Sequence, residues 1–318
     1  MSLKLYNFRI AVFEFSLRFH ESAVFGESKG SSLRGALGQA LEETCFNKSK
    51  KCQRCTHTEC AYGYLFKTPS FFSKKISRKY SEIPHPFVLE PPLTKKRHFG
   101  AGEFLKFRLI LIGKGISYLP YFLDAFGQED KNGIGLNRAR YELTEVFSIF
   151  GRHREKIYDS ESKRFQTTYR IWHFEDILQN SSLKPPVENL SLRFLTPTRL
   201  KYHGQFVSQN DFQFHIFFRS LLRRISELSL AHCDEKLHEH YGYLKQKAMA
   251  IETEGKLSWN DRWEHFSKED EEKIKLGGLI GQVILRGQLD EFLSFLKMGQ
   301  FVHVGGKTTF GCGKYVLN

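Results

Sequence analysis

The feature that most constrains this 318-residue chain is the order in which two hydrophobic periods succeed one another along it. A period of two puts side chains on opposite faces of a strand, whereas apolar residues three and four apart share one face of a helix. Phe13, Phe15, Leu17 and Phe19 alternate with Glu14, Ser16 and Arg18, while Phe8, Ile10 and Val12 alternate in the opposite phase. That slip predicts a bulge or bend near Val12. Leu33, Ala36, Leu37, Ala40 and Leu41 then take helical spacing, with Ser31 or Ser32 as N-cap. Residues 87–93 and 104–112 read as strands, and Leu119, Phe122, Leu123 and Phe126 as a short helix with Pro120 in its first turn. With a further strand at 141–150, the order is β-α-β-β-α-β, the ferredoxin-like unit.

The second half repeats the plan. Leu190, Leu192 and Phe194 form a strand face, and Phe214, Phe217, Phe218, Leu221, Leu222, Ile225 and Leu228 a strongly amphipathic helix. Leu279, Val283 and Leu285 lie on a further strand, Phe292, Leu293 and Leu296 on a short helix, and a last strand ends at Leu317. Residues 232–276 are expected to hold one strand and inserted helical turns. The fold class is therefore α+β, two tandem ferredoxin-like (RRM-like) domains, one over 1–180 and one over 187–318, joined by the polar, proline-containing stretch from Asn180 to Pro186.

The chain carries 48 Lys and Arg against 35 Asp and Glu, a net charge of +13, which suits a polyanionic partner, either nucleic acid or an anionic membrane surface. No apolar run reaches the roughly 18 residues of a membrane span, and the N-terminus lacks the pattern of a signal peptide. A cytoplasmic protein without a membrane partner is expected. Between Lys67 and Arg97 basic residues interleave with Phe71, Phe72, Tyr80 and Phe87, a stripe that can track a backbone and stack bases. Arg219, Arg223 and Arg224 on the long helix, with Arg199 and Lys201 before it, offer a second basic surface.

Cys45, Cys52, Cys55 and Cys60 fall within an insert at 45–66. Four thiolates at close spacing satisfy a tetrahedral structural zinc, with His57 able to replace one of them; an iron–sulfur cluster would use the same ligands. Cys233 and Cys312 stand alone and read as small packing residues.

The C-terminus is rich in glycine: Gly299, Gly305, Gly306, Gly311 and Gly313, with His303, Lys307 and Lys314 among them. Glycines let backbone amides approach an anion, and the lysines add positive charge, so the loop at 303–313 reads either as ordinary turns or as a phosphate cradle. The run Lys307, Thr308, Thr309, Phe310, Gly311, Cys312, Gly313, preceded by Gly299, His303 and Gly305, resembles the C-terminal signature of the CRISPR-associated endoribonucleases that process precursor RNA, Cas family six of the RAMP superfamily. Matches continue in order along the chain: Leu33 to Gly38, Cys60 to Phe66, Gly133 with Gly135, Phe194 to Lys201, and Trp263 ahead of Gly277, Gly278 and Gly281. This chain departs from the tail pattern with Gln300 at a usually acidic position and Gly306 inside the loop.

The resemblance implies two ferredoxin-like domains and cleavage of CRISPR repeat transcripts into guide RNAs, without a catalytic metal. The implied chemistry is attack of a ribose 2′-OH on the neighbouring phosphate, which needs a base, an acid for the leaving oxygen, and positive charge on the phosphorane. Many relatives place a histidine in the first helix, where this chain has Ser32, Arg34, Gln39 and Glu42 as polar members. The substitutes by sequence are His303, four residues from Lys307, and His20 after the first strand. A site without histidine, in which Lys, Arg and Tyr orient the RNA, is the other option. Phosphate binding is expected from Arg34, Arg199, Lys201, Gly305, Gly306, Lys307, Gly311, Gly313 and Lys314, with Lys307 also serving the reaction. Repeat RNA is the expected partner, with Cas effector subunits as possible companions. Two other classes compete: a noncatalytic RNA-coating subunit of an effector complex, and a metal-containing DNA-binding regulator.

Overall fold

The computed structural model describes residues 5–46, 60–66, 83–128, 133–237, 241–267 and 272–318. Strand β1 (Arg9–Phe19), helix α1 (Lys29–Phe46), strands β2 (Phe87–Glu90) and β3 (Phe104–Ile112), helix α2 (Leu119–Gly127) and strand β4 (Tyr141–Phe150) follow in the anticipated order. They pair antiparallel in the order β2-β3-β1-β4, with a further strand, β5 (His153–Asp159), beyond β4. Placing the first strand between the third and fourth is the ferredoxin-like arrangement. Strand β2 stops at Glu90 instead of running on, because Pro91 and Pro92 carry no N–H for a ladder.

The second unit repeats this connectivity. Strand β6 (Asn189–Thr198), helix α3 (Phe214–His232), helix α4 (Tyr241–Met249), strands β7 (Glu252–Asn260) and β8 (Gly278–Arg286), helix α5 (Leu293–Val302) and strand β9 (Tyr315–Leu317) form a sheet in the order β7-β8-β6-β9. Between β7 and β8 a separate hairpin, Glu264–Ser267 against Glu272–Lys275, projects from the sheet. Where one strand and inserted helical turns are expected, the described residues of 232–276 hold one helix, one sheet strand and this hairpin.

The phase change near Val12 has a different origin from a bulge. Strand β1 runs in unbroken register against β3 from Ile10–Ile112 to Arg18–Phe104, and the irregularity lies between Ser16 and Leu17, against β4. Odd-numbered Ala11, Phe13, Phe15, Leu17 and Phe19 are buried beneath α1 and α2. Even-numbered Phe8, Ile10 and Val12 lie on the opposite face, in one core with Trp172, Leu192, Phe217 and Tyr315. One end of the first sheet is therefore buried on both faces, by its own helices and by the second unit. Such a strand reads as apolar in both phases. No helix among the described residues is long and apolar enough to cross a membrane.

Candidate active site

The glycine-rich segment begins where α5 ends. Left-handed backbone at His303, Gly305, Lys307, Gly311 and Gly313 makes it turn repeatedly within a few residues. The glycines divide into two groups. A Cβ on Gly313 would sit 1.9 Å from the Val304 carbonyl oxygen, and one on Gly311 would sit 2.4 Å from Pro91. Those two positions are filled by neighbouring chain, so their glycines serve protein packing and do not cradle a phosphate as anticipated. Gly305 closes on the Arg199 carbonyl, to which Gly306 donates its N–H at 3.0 Å, and Gly306 and Lys307 are exposed. Thr196 pins the other side, donating its hydroxyl to Gly311 O at 2.8 Å and accepting the Lys314 N–H at 2.9 Å.

His303 is wholly buried. Its Nδ1 donates to Cys312 O and its Nε2 to Glu90 Oε1, both at 2.9 Å. Both ring nitrogens are therefore engaged by groups inside the protein, and neither is open to a substrate. Lys314 donates to the second oxygen of Glu90 at 2.6 Å. Burial pushes the Glu90 carboxyl up, but the bond from His303 and the charges of His303 and Lys314 outweigh it and hold the group down at about 2. The expectation that His303 abstracts a proton is corrected on these grounds: the ring braces the loop against the first unit. Lys314 is spent in the same network and is withdrawn from the phosphate-binding set.

Arg224 is corrected too. It is buried, donates from Nε to Val302 O at 2.7 Å, and ties α3 to the last carbonyls of α5 instead of forming a basic surface. Arg223 pairs with Glu227 on its own helix.

At the front of the loop the two units meet. Gly30, in the first turn of α1, lies so close to the short turn Thr308–Phe310 that a Cβ there would fall 2.0 Å from Phe310 O. This contact brings Arg34 onto the loop. Its Nε donates to Thr309 Oγ1 at 3.0 Å, and its guanidinium lies 4.5 Å from the Phe66 ring centroid and 4.8 Å from that of Phe310. Burial lowers the guanidinium to about 10, which leaves it charged at neutral pH. The hairpin between β7 and β8 reaches the same spot. Trp263, Leu276, Phe310 and Cys312 form a small apolar cluster at its base, and the His265 ring packs 4.7 Å from Phe310. His265 Nδ1 lies 2.9 Å from Ser31 Oγ. Burial first, then the charges of Arg34 and Lys307, lowers His265 to about 4, so its imidazole is neutral at pH 7.

The remaining sequence candidates fall elsewhere. Arg199 is half-buried beside the loop, donates from Nη1 to Lys275 O at 2.6 Å, and stacks 4.2 Å from the Phe206 ring centroid. Lys201 is exposed next to the same ring. His20 is exposed, and the cross-strand neighbours Glu90, Arg108 and Glu14 place the brace level with the middle of β1. Six residues further along an extended strand put His20 about 20 Å away, beyond reach of the loop. Cys52 and Cys55, the side chain of Cys45, and the stripe from Lys67 to Ser81 lie outside the described residues. Cys60 opens the short helix Ala61–Phe66 and accepts the Gly63 N–H at 3.4 Å. Sequence reasoning missed Glu90, Thr309 and His265. Only Thr309 carried a signal, through its place in the tail motif.

Comparison with known proteins agrees with this geometry. The CRISPR-associated endoribonuclease Cas6 model matches residues 192–315, and the AF_1859_N N-terminal domain model matches residues 8–169. No protein of curated function matches the sequence. Among solved structures, the chain is similar to one in a partial Cas6-RT-Cas1–Cas2 complex, with a TM-score of 0.63, 14% identity, and coverage of 100% of this chain and 47% of that one. It is similar to a Cas6 product complex, with a TM-score of 0.56, 18% identity and coverage of 97% and 99%. It is also similar to Thermus thermophilus Cas6, with a TM-score of 0.54, 17% identity and coverage of 99% and 100%. The chain thus spans 47% and 29% of the length of the two Cas6-RT-Cas1–Cas2 chains it resembles. At these identities the likeness is one of fold.

Proposed function

We propose, for a chain that belongs to the Cas6 family of CRISPR-associated endoribonucleases, that it cuts CRISPR repeat transcripts into guide RNAs by 2′-OH attack on the adjacent phosphate. The products are a cyclic phosphate and a 5′-OH end. The observation that carries the reading is the seam where the Cas6-type loop meets α1, which gathers Arg34, Lys307 and Thr309 on one side of a two-unit fold. Such a site supplies the positive charge that the chemistry asks of a protein. Lys307 is exposed on a turn whose backbone is fixed, Arg34 is held between two rings, and both place positive charge where a phosphorane would gather negative charge. The nucleophile lies within the substrate, so the reading calls for RNA and for no catalytic metal. The net charge of +13 supports a polyanionic substrate. Exposed Lys201 and half-buried Arg199, beside the partly exposed ring of Phe206, extend the basic surface away from the loop.

The test is incubation of the purified protein with its cognate repeat RNA in excess EDTA, in parallel with RNA carrying a 2′-deoxy nucleotide at the cleavage position. The expected result is cutting of the unmodified strand alone. Tight binding with no cleavage would instead favour a guide-coating subunit, and preference for duplex DNA a regulator.

The cysteine segment is read as a structural zinc site, and the cytoplasm, where such thiols stay reduced, as the place of work. The N–H that Cys60 sulfur accepts from Gly63 fits a thiolate ligand, since a bound thiolate retains acceptor capacity. Zinc would be held by Cys45, Cys52, Cys55 and Cys60 and would supply folding energy to the insert. Metal analysis with a visible spectrum separates colourless zinc from a coloured iron–sulfur cluster.

A further inference from the structure

The first turns of α1 offer Lys29, Ser31, Ser32 and Arg34 as polar groups, and none of them is a histidine or carboxylate able to take a proton at neutral pH. The second unit brings a ring to that place from outside the helix. From this juxtaposition we infer that His265 is the general base of the cleavage reaction, held in position by Ser31. The inference rests on the endoribonuclease reading above.

Three observations support it independently of one another. The first is placement: the ring lies between the first turn of α1 and Phe310, beside the two cations the reaction needs. The second is orientation. Ser31 Oγ occupies Nδ1, and Nε2 has no hydrogen-bond partner among the described residues; in the tautomer the inference requires, Nδ1–H donates to Ser31 Oγ and the lone pair sits on Nε2. This is the reverse of His303, whose two nitrogens are both engaged inside the protein. The third is access, since His265 is only partly buried whereas His303 is fully buried.

The charge state agrees. Arg34 from α1 and Lys307 from the loop are the cations that face the ring, and with burial they keep it neutral, which suits a base more than an acid. A bound phosphate partly cancels both charges, so the ring becomes more basic when substrate arrives. In the reaction the O2′–P bond forms as the P–O5′ bond breaks. The 2′-hydroxyl proton passes to Nε2, the departing 5′ oxygen takes a proton from water, and the imidazolium returns its proton to solvent. No electrons are exchanged with any oxidant or reductant.

The test uses the full chain under single-turnover conditions with repeat RNA. His265→Ala is expected to slow cleavage by about a hundredfold or more, with RNA affinity kept within about threefold. Added imidazole should restore part of the lost rate. The wild-type rate should rise with pH through an apparent pKa above the value of about 4 that the ring has without RNA and then level off, and His265→Ala should lose that rise. Ser31→Ala should slow cleavage by a smaller factor and leave imidazole without effect. His265→Gln, which fills the same space, guards against misfolding and should be as slow as the alanine variant. Wild-type cleavage with an equally fast His265→Ala overturns the inference and leaves the endoribonuclease reading standing. A His265→Gln variant at full rate shows that the ring only fills space, which overturns it too. Absence of wild-type cleavage overturns the reading beneath it.

Discussion

Replacing Glu90 with Gln removes one charge and almost no volume from the centre of the brace, so its consequences can be worked from the contacts. The carboxylate lies in a region closed to solvent and receives Nε2 of His303 at 2.9 Å and Nζ of Lys314 at 2.6 Å. Its pKa falls from 4.5 to about 2. A drop of that size corresponds to roughly 3 kcal/mol of stability at neutral pH. Losing one partner of a buried ion pair costs about 3–5 kcal/mol, because the other charge is left without compensation. Gln keeps one acceptor oxygen, so the lower end, about 3 kcal/mol, is expected. The sign with pH follows from the depressed pKa. The contribution is complete above pH 4.5, the unfolded value, and is lost as pH falls towards about 2. The gap between wild type and Glu90→Gln, followed by chemical denaturation at fixed ionic strength, should be constant from pH 7 to 5 and should narrow by roughly 1 kcal/mol at pH 3.5. Salt should leave the gap nearly unchanged, since the pair is shielded from ions. A gap below about 0.5 kcal/mol at pH 7, or one that widens on acidification, refutes the reasoning.

The other predictions concern the seam and the loop. Gly30→Ala forces a methyl into the Phe310 carbonyl, so either α1 or the turn must shift; we expect about 1–3 kcal/mol of lost stability by thermal or chemical unfolding. Its cleavage rate should fall further than its RNA affinity, because the shift parts Arg34 from Thr309 and Ser31 from His265. Lys307→Ala should weaken RNA binding at every salt concentration and reduce the slope of log K against log salt by about 1, measured by filter binding. An unchanged slope would place Lys307 off the RNA path. His303→Ala should destabilise the fold by roughly 2–4 kcal/mol, because Glu90 keeps only Lys314 as partner and a cavity is left, and imidazole should not restore its rate.

The sequence made the fold legible and the site only partly so, for a physical reason that separates the two. Strands such as Phe104–Ile112 and helices such as Phe214–His232 bury one face against their own unit, and a local period reports that directly. The apparent slip at Val12 marks where this stops. Ile10 and Val12 are apolar because of residues far along the chain, and a local period reads their burial as a bulge. The site shows the same limit more sharply. Arg34 and Lys307 were found because they stand in motifs that are themselves local. His265 stands more than two hundred residues from Ser31, and although Trp263 and Gly277 flank its hairpin as family matches, neither hints that the ring meets α1. His303 misled for the converse reason: its neighbours in sequence belong to the loop, while the group that occupies its Nε2 is Glu90, more than two hundred residues earlier.

Both the brace and the proposed reaction groups cross the same seam, and this bears on why a charged brace is there at all. Glu90 ends strand β2 of one unit, and His303 and Lys314 open and close the loop of the other, so the three fix how the loop seats on β2. An apolar trio of similar volume would bury as well and is often no less stable than an ionic one. It would, however, be indifferent to a shift of the loop along the strand, because apolar contact has no direction. The ionic brace has one: a shift of a single residue breaks two short hydrogen bonds and strands a buried carboxylate. The loop that carries Lys307 and Thr309 is held by that same seating, and Phe310 in turn holds His265. The cost of burying Glu90 and His303 against Lys314 is therefore best understood as the cost of register. Replacing all three with apolar residues should leave the unfolding midpoint near that of wild type while cleavage falls, whereas Glu90→Gln alone should lower both.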